Sequence, residues 1–347
     1  MPEPQRTPPD ALAYAAPGAD EVFPRLAEIE RQLRQTQALS ARGYEQSFGW
    51  GRRLQEARGR EEHRRAFEES EPLVSVVIAT YNGAALLVER ALASVRRQTH
   101  EHWEAIVVGD ACTDDTEAAV AGLGDPRIRF HNRPVRGPYP EERRARWYVA
   151  GVPPANEALR RVTGSWFAPL DHDDEWSDDH LERLLAVARR ERVEFVHGRA
   201  MVRDHSDGST RVAGSHPPRH GDFFQGTSLQ HAALAAFEWD MNCRFAGEPA
   251  DWNRTRRLLD AGATVGFVDE VLMTYHHVPK HEAPSTEERV YAEMQTCIRT
   301  VEEGRDWWQA RAEHFEREYG WWRERAEAYE REVEHWRATG AADGPAA

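Results

Sequence analysis

The chain has 347 residues and a formal net charge of −14, with 45 Lys and Arg against 59 Asp and Glu. This balance argues against nucleic acid as a partner, because polyanion binding needs a basic surface that releases counterions. Its three cysteines are far apart and form no Cys-x-x-Cys pair, which argues against a disulfide framework and a zinc site. With no visible signal peptide or membrane-length apolar run, we expect a cytoplasmic protein and leave peripheral membrane attachment open.

The first 70 residues differ in composition from the rest of the chain. Residues 1–20 are rich in Pro and Ala, a composition typical of disorder. Residues 21–70 are highly charged and have a helical pattern. Within them, residues 52–65 contain few apolar side chains, and we interpret them as a solvated helix or a linker.

From residue 72 onward, short apolar runs alternate with amphipathic segments. The predicted strands are 74–79, 104–108, 127–131, 165–170, 194–197 and 264–268, and the predicted helices include 113–121, 153–162, 178–190 and 249–261. Such alternation predicts a doubly wound, mostly parallel α/β sheet with ligands at the carboxyl ends of its strands. Residues 202–226 are rich in Gly, Pro, His and Asp and are expected to form loops with short antiparallel strands.

The C-terminal segment 285–338 has a different pattern, in which aromatic side chains recur every seven residues. These aromatic residues are Trp308, Phe315, Trp322, Tyr329 and Trp336. A heptad stripe with charges elsewhere predicts a coiled coil or a docked amphipathic helix, and hence a homo-oligomer or packing against the N-terminal segment. A sugar-stacking platform is the less favoured alternative. Residues 339–347 are expected to be a disordered tail.

The strongest motif comes after the predicted strand 165–170. Asp171 and Asp173 stand at its carboxyl end, with Asp174 beside them. Mg²⁺ and Mn²⁺ bind carboxylate oxygens, and Mg²⁺ commonly uses one or two carboxylates together with substrate phosphates. We therefore predict that Asp171 and Asp173 share a divalent metal ion. The alternative is an acidic cluster that stabilises the N-terminus of the helix predicted from Asp178.

Two further polar clusters come after the first and second predicted strands. Thr80, Tyr81 and Asn82 end the first, and they leave room for a base and ribose against Tyr81. Asp110 ends the second and can accept a hydrogen bond from a base imide or a ribose hydroxyl. On these residues alone, ordinary turn or helix-capping roles remain open for both clusters. The lack of Gly-x-Gly-x-x-Gly after the first strand argues against a dinucleotide-binding fold.

In their order and spacing these segments resemble the family 2 glycosyltransferases of the GT-A fold, over about residues 72–277. The motifs are Val-Ser-Val-Val-Ile-Ala-Thr-Tyr-Asn from residue 74, Ala-Ser-Val-Arg-Arg-Gln-Thr from residue 93, Gly-Asp-Ala-Cys-Thr-Asp-Asp-Thr from residue 109, Asn156 ahead of Gly164-Ser165-Trp166, and Asp-His-Asp-Asp from residue 171. The resemblance implies a GT-A domain, which we place at residues 71–280. It also implies transfer of a sugar, of the hexosyltransferase type, from a nucleotide-diphosphate donor with inversion.

The resemblance also implies roles for particular residues. The nucleotide would contact residues from three strand ends, namely Thr80, Tyr81, Asn82, Asp110 and Asp171. A Mn²⁺ or Mg²⁺ ion would be held against the diphosphate by the Asp-x-Asp pair of Asp171 and Asp173, with Asp174 beside it.

An acidic base is expected on the later helix, where Asp251-Trp252 looks like the family's Asp-Trp motif. The usual adjacent acidic pair is broken by Ala250, so Glu248 is the second candidate. A carboxylate at a helix start beside a large apolar side chain can be desolvated enough to act as a base. Its alternative is an ordinary acid at a helix N-terminus.

Two assignments stay open on the sequence. His276 and His277 lie where GT-A enzymes often supply a further metal or phosphate ligand, and we carry His277 as the candidate, although neighbouring histidines are commonly bystanders. Residues 133–147 are longer and more basic than the family's pattern. They are interpreted either as a lid whose Arg side chains meet the diphosphate or as a solvated insertion.

Two other functions are weighed against glycosyl transfer. One is a coiled-coil interaction protein that retains an inactive glycosyltransferase-like domain. The other is a sugar-1-phosphate nucleotidyltransferase, which needs a Gly-rich loop with a basic residue after the first strand. Residues 80–83 contain one Gly and no basic residue, which disfavours the second. The sequence does not name the donor's sugar or base, or whether the acceptor is a glycan, a lipid-linked molecule or a small molecule.

Overall fold

The computed structural model describes residues 49–141 and 143–278. The predicted segments 1–20, 285–338 and 339–347, and most of the helical segment 21–70, lie outside the described residues. The coiled coil, the oligomer it would form and the two disordered ends therefore stay predictions.

The described chain alternates between strands and helices. The strands are β1 Val74–Thr80, β2 Trp103–Gly109, β3 Ile128–Asn132, β4 Trp166–Asp171, β5 Glu175–Trp176, β6 Phe195–Asp204, β7 Thr210–Ala213, β8 Ser228–His231 and β9 Val265–His277. The helices are α1, described over 49–58, α2 Glu61–Ala66, α3 over 84–96 with a π-helical stretch at Leu87–Leu92, α4 Thr116–Ala121, α5 Arg143–Tyr148, α6 Val152–Leu159, α7 His180–Glu191 and α8 Ala250–Asp260. Every predicted strand and helix of the core is present, although β6 and β9 are much longer than predicted.

The strands form one mixed sheet in the order β3-β2-β1-β4-β8-β6-β9-β5, with β7 on β6. Four of the described pairings are parallel and four are antiparallel. The prediction of a mostly parallel sheet is therefore wrong for the second half. Strands β1 to β4 are joined by helices, which return the chain in the same direction. The loops before β7 and β8 reverse it instead, and an apolar run does not record strand direction.

The first strands are buried on both faces, as their apolar runs predict. Along β1, Val76 and Ile78 pack into one hydrophobic cluster, and Val77 packs into a second cluster on the opposite face of the sheet. The first cluster includes Leu87 from α3, and the second includes Leu159 from α6. Two helical layers therefore hold the parallel half of the sheet rigid, and the polar residues just beyond its strands are fixed in position.

The segment predicted as a solvated helix or linker packs on the domain instead. Leu54 of α1 is fully buried. Arg58 donates two hydrogen bonds of 2.7 Å to the Glu194 carboxylate, and His63 of α2 lies 3.0 Å from the same group. Because Glu194 is nearly inaccessible to solvent, the charges of this segment serve as a buried ionic contact, which residue composition alone does not distinguish from a solvated surface.

Candidate functional site

The polar clusters predicted after three strands meet at one edge of the sheet. In the parallel register, Ala79 pairs with Asp171 across β1 and β4, and Thr80 pairs with Gly109 across β1 and β2. The backbone N–H of Asp110 donates to the Thr80 carbonyl over 2.9 Å, which extends this alignment beyond the strands. The carboxyl ends of β1, β2 and β4 thus bring together the predicted nucleotide and metal residues.

The first loop approaches the acidic loop closely because it contains glycine. A Cβ atom placed on Gly83 would lie 2.7 Å from the His172 ring, a separation that real side chains do not tolerate. His172, which stands between Asp171 and Asp173 in the sequence, therefore packs against the turn after β1.

Asp171 and Asp251 form the acidic centre of the site. Burial raises the pKa of Asp171 to about 6, and the charges of Asp173 and Asp251 contribute to the rise. Burial also raises the pKa of Asp251 to about 6, although the Trp252 N–H donates to its carboxylate over 2.7 Å. Asp251 lies in the first turn of α8, so carboxylates from two distant elements share one electrostatic environment.

Asp174 plays a different part from its neighbours. It is almost fully buried, and its Oδ1 accepts the backbone N–H of His276 over 2.9 Å. Its Oδ2 has no hydrogen-bond partner among the described residues. Burial raises the pKa of this carboxyl well above its ordinary value, and the charge of Asp171 adds to the effect. The side chain thus ties the acidic loop to β9, and its assignment as a metal residue stays a prediction.

The two candidate bases differ in their surroundings. The Glu248 carboxylate accepts hydrogen bonds of 2.9 Å from both Arg256 Nε and Nη2 and one of 2.6 Å from Asn253. The Asp251 carboxylate accepts the Trp252 N–H and contributes its charge to the raised pKa of Asp171. Glu248 is therefore held in an ion pair beside its own helix, whereas Asp251 faces the acidic cleft.

At the nucleoside end of the site, Asp110 is already paired by the chain itself. It is 2% exposed, and its Oδ1 accepts hydrogen bonds from Arg133 and, over 3.1 Å, from the Gly137 N–H. Its Oδ2 accepts the Tyr139 hydroxyl over 2.6 Å. The basic segment that begins at residue 133 is thus anchored at the strand end and is not a freely solvated insertion over these residues.

The same segment reaches the other predicted nucleoside residues. The Arg136 guanidinium lies 3.7 Å from the centre of the Tyr81 ring, which remains 39% exposed. Asn82 exchanges two hydrogen bonds with Thr113, of 3.3 and 2.9 Å. Thr80 has a buried hydroxyl oxygen with no partner among the described residues. Thr80 is therefore buried at the end of β1, Tyr81 remains partly exposed beside Arg136, and Asn82 holds the turn after β1 to the loop after β2.

The histidine pair at the end of β9 has other partners. His276 lies 2.9 Å from His205 and 3.2 Å from Glu175 through its two ring nitrogens. His277 is half-exposed, and its Nε2 lies 3.9 Å from the Asp204 carboxylate. This carboxylate, Asp204, belongs to the end of β6 and not to the Asp171 loop. The metal role of His277 therefore stays a prediction.

Two residues of the site were missed by sequence reasoning. Gln225 donates from Nε2 to Asp171 Oδ1 over 3.2 Å, and Tyr275 of β9 lies among the carboxylates. Burial raises the pKa of the Tyr275 phenol, and the charges of Asp174 and Asp171 raise it further, so the hydroxyl keeps its proton. Neither lies in a motif, but Tyr275 has a weak signal, since it sits in an apolar run that ends in polar residues.

The donor set fits a divalent cation that also binds a substrate. Among the described residues, no three His, Cys, Asp or Glu side chains are grouped so that they could hold a metal ion. Asp171 and Asp173 offer a pair of carboxylates whose mutual repulsion contributes to the raised pKa of Asp171. Mg²⁺ is commonly bound by one or two carboxylates plus phosphate oxygens, which is the arrangement these residues allow.

Comparison with known proteins agrees with this geometry. The model of the family described as glycosyl transferase family 2 matches residues 75–140 and 154–239, which contain the ends of β1, β2 and β4. These matches and the curated relatives define a glycosyltransferase domain. Over these residues the chain is similar to the family 2 glycosyltransferases, and the resemblance seen in its motifs is confirmed.

Among the relatives, the Escherichia coli UDP-Glc:alpha-D-GlcNAc-diphosphoundecaprenol beta-1,3-glucosyltransferase WfgD is 30% identical over 127 residues, covering 36% of this chain and 45% of that protein. The putative teichuronic acid biosynthesis glycosyltransferase TuaG of Bacillus subtilis is 38% identical over 115 residues, covering 33% and 41%. The matched part of the chain thus spans less than half the length of these relatives.

Among solved structures, Staphylococcus aureus TarS 1–349 in complex with UDP-GlcNAc has a TM-score of 0.46 and 16% identity, covering 66% of each chain. The mannosyltransferase PcManGT from Pyrobaculum calidifontis, in complex with GDP-Man and Mn²⁺, has a TM-score of 0.42 and 17% identity, covering 74% of this chain and 71% of that one. No helix within the described residues is both long and apolar enough to cross a membrane.

Proposed function

We propose that this chain transfers a sugar from a nucleoside diphosphate donor to an acceptor hydroxyl, with inversion at the anomeric carbon. The match to the family model supports glycosyl transfer as the reaction class. The observation that carries the proposal is the approach of Asp251, at the start of α8, to Asp171 at the end of β4, close enough to raise the pKa of Asp171. Acidic groups from two separate elements therefore face one space.

Asp171 and Asp173 serve the leaving-group side. Their repulsion, visible in the raised pKa of Asp171, favours a cation between them and a diphosphate. A bound Mn²⁺ or Mg²⁺ would supply Lewis-acid stabilisation of the departing diphosphate. The Gln225 amide, which donates to Asp171 Oδ1, keeps that carboxylate in one orientation.

Asp251 serves the acceptor side. Its pKa of about 6 leaves it ionised at neutral pH, yet basic enough to accept a proton from an attacking hydroxyl. In the proposed displacement the acceptor oxygen forms a bond to the anomeric carbon as the bond to the diphosphate oxygen breaks. The acceptor's proton goes to Asp251, and the electron pair of the broken bond goes to the diphosphate. Attack opposite the leaving group inverts the anomeric centre.

The relatives suggest the first substrates to test. The Escherichia coli relative is described as a transferase that uses UDP-Glc and a diphosphoundecaprenol-linked acceptor. We infer that a sugar nucleotide is the donor here, and that lipid-linked glycans are one class of acceptor to examine.

The test is metal-dependent release of nucleoside diphosphate from UDP-glucose, UDP-GlcNAc and GDP-mannose. Turnover of the accepted donor should be lost in excess EDTA and restored by MnCl₂ or MgCl₂, because the charge of the diphosphate must be balanced as it leaves. Asp173→Asn should lose about 10²-fold or more in turnover while folding normally. Asp178→Asn, two residues before the start of α7, is the matched control and should stay active. Full activity of the wild type in EDTA would refute the metal role.

A further inference from the structure

We propose that Gln225 binds a hydroxyl of the transferred sugar through its side-chain oxygen and thereby helps to select the donor's sugar. This inference rests on the proposed glycosyl transfer and adds a residue that no sequence motif marks. Gln225 begins the 3₁₀ turn Gln225–Thr227, which precedes β8, and its side-chain amide reaches Asp171.

The turn that carries Gln225 is fixed by its neighbours. The Trp176 indole N–H donates to the Gly226 carbonyl over 2.6 Å. A Cβ atom on Gly226 would lie 2.8 Å from the Met273 sulfur, so the turn packs against β9 with no space to spare. Gln225 therefore projects from rigid backbone, as a selective binding residue requires.

The chemistry of Asp171 sets the orientation of the Gln225 amide. An ionised carboxylate only accepts hydrogen bonds, so the NH₂ group must face Asp171 Oδ1, 3.2 Å away. The opposite orientation would place two acceptors in contact. The amide oxygen is consequently turned elsewhere, where it is buried and has no donor among the described residues.

A buried acceptor without a partner is uncommon in folded proteins, and it calls for a donor that arrives with a ligand. In the proposed reaction the transferred sugar lies beside both Asp171 and Asp251, since one faces the diphosphate and the other faces the acceptor. Gln225 is bonded to the first of these. Phe224, the preceding residue, packs on Tyr275 with ring centres 4.8 Å apart, and Tyr275 lies among the same carboxylates. A hydroxyl of the transferred sugar is therefore the donor that would reach the amide oxygen of Gln225.

The experiment compares one variant with the wild type over a set of donors. Wild type and Gln225→Met, which preserves side-chain length without polar atoms, are assayed with the accepted sugar nucleotide and with each of its monodeoxy analogues. In the wild type, one analogue should lose about tenfold or more in kcat/KM, because the missing hydroxyl leaves the amide oxygen unpaired. Gln225→Met should lose a similar factor with the full donor and nothing further with that analogue.

Two measurements separate this role from others. In Gln225→Met the Kd of the free nucleoside diphosphate with Mn²⁺ should rise by a clearly smaller factor than kcat/KM falls, because that ligand lacks the sugar and loses only the hydrogen bond that orients Asp171. Gln55→Met, an exposed position on α1, should behave as wild type. If every deoxy analogue loses the same factor in both proteins, or if the diphosphate Kd rises as much as the donor KM, the proposed sugar contact is wrong. A wild type that turns over no donor would instead refute glycosyl transfer itself.

Discussion

The two ends of the candidate site differ in whether the protein itself supplies hydrogen-bond partners for their buried polar groups. At the nucleoside end the buried carboxylate of Asp110 accepts three hydrogen bonds from the chain's own residues 133–139. At the acidic end, Asp174 Oδ2 and Gln225 Oε1 are buried without partners among the described residues, and the pKa values of Asp171 and Asp251 are raised to about 6. The Asp110 carboxylate is thus satisfied by the protein, whereas the polar groups of the acidic end are left for ligands to satisfy.

The difference indicates where ligand binding should release free energy. A paired carboxylate gains little from a new partner, because an old hydrogen bond must first be broken. Crowded carboxylates with raised pKa values gain from a cation or a proton, and such groups are concentrated at functional sites. We therefore expect changes at the acidic end to have large effects on turnover, and changes at the nucleoside end to have small effects on affinity.

The largest effect is expected at the base. Asp251→Asn should lower kcat by about 10²-fold or more, since the acceptor hydroxyl then lacks a positioned proton acceptor. The Kd of the nucleoside diphosphate, measured by calorimetry with Mn²⁺, should be almost unchanged. Glu248→Gln is the control, because that carboxylate is engaged by Arg256 of α8, and it should lose less activity. A damaging Glu248→Gln beside a nearly silent Asp251→Asn would assign the base to Glu248.

The second effect is the pH dependence of turnover. Asp251 must be ionised to accept a proton, and burial raises its pKa to about 6 in the free protein. The kcat/KM should therefore be level above about pH 7 and fall about tenfold per unit below about pH 6. The measurement is a pH profile of donor turnover at saturating Mn²⁺. A profile that stays flat down to about pH 5 would show that no carboxyl with a raised pKa is needed in its ionised form.

The acidic end was predictable because its signals are local. Strands buried on both faces have apolar runs, and the residues just beyond parallel strands must meet at one edge. Asp171 and Asp173 could be found in this way, and the register of Ala79 with Asp171 confirms that the strand ends align. Asp251 was proposed from the resemblance of Asp251-Trp252 to the family's Asp-Trp motif, and its helix start and the adjacent Trp252 gave local support. Its approach to Asp171 then came from the fold.

The remaining features depend on contacts between residues far apart in sequence. Asp110 and Tyr139 are 29 positions apart, and Gln225 and Asp171 are 54 apart, and no pattern along the chain links either pair. The prediction of the direction of the later strands was wrong for the same reason, because an apolar run has the same pattern in parallel and antiparallel pairs. The buried contact between Arg58 and Glu194 likewise could be recognised only in the folded chain. Local chemistry predicts which side chains reach the site, and only the fold shows which of them are already paired.

A third prediction concerns stability. Because the folded-state pKa of Asp251 is above its ordinary value of 3.8, the folded protein binds this proton more tightly than the unfolded chain does. The ionised form therefore destabilises the fold at about pH 7.5, and this penalty disappears as the pH falls below about 4. Asp251→Asn should raise the free energy of unfolding at about pH 7.5 by about 1 kcal/mol, discounted for the partial exposure of the side chain.

The matching measurement is thermal unfolding of both proteins without nucleotide or metal. A gain of about 1 kcal/mol corresponds to roughly 2–4 °C in Tm for a domain of this size. The difference between variant and wild type should shrink toward zero at about pH 4. A less stable Asp251→Asn near neutral pH would indicate that the carboxylate is needed for folding, and would remove the contrast between a strained acidic end and a satisfied nucleoside end.

The smallest effect is expected at Tyr81. The Arg136 guanidinium covers one face of this ring at 3.7 Å, which is the kind of surface on which a nucleoside base stacks. A base that uses that face must first displace the guanidinium, and an exposed cation–π contact is worth about 0.5–1 kcal/mol. Arg136→Ala should therefore lower the Kd of uridine or guanosine about two- to fivefold. Arg136→Lys, which keeps the charge but not the planar group, should have an intermediate effect.

Titrating UDP and GDP in parallel with the nucleosides distinguishes the alternative role of Arg136 as a diphosphate ligand. If Arg136→Ala weakens the binding of both the nucleoside and the diphosphate, the side chain is part of the binding surface. The nucleoside end would then gain stabilising contacts from its ligand, as the acidic end does. If Arg136→Ala raises the Kd of the diphosphate but lowers the Kd of the nucleoside, Arg136 moves away from Tyr81 to contact the phosphates. Residues 133–139 would then serve both ends of the site, because the segment that satisfies Asp110 would also supply a cation to the diphosphate.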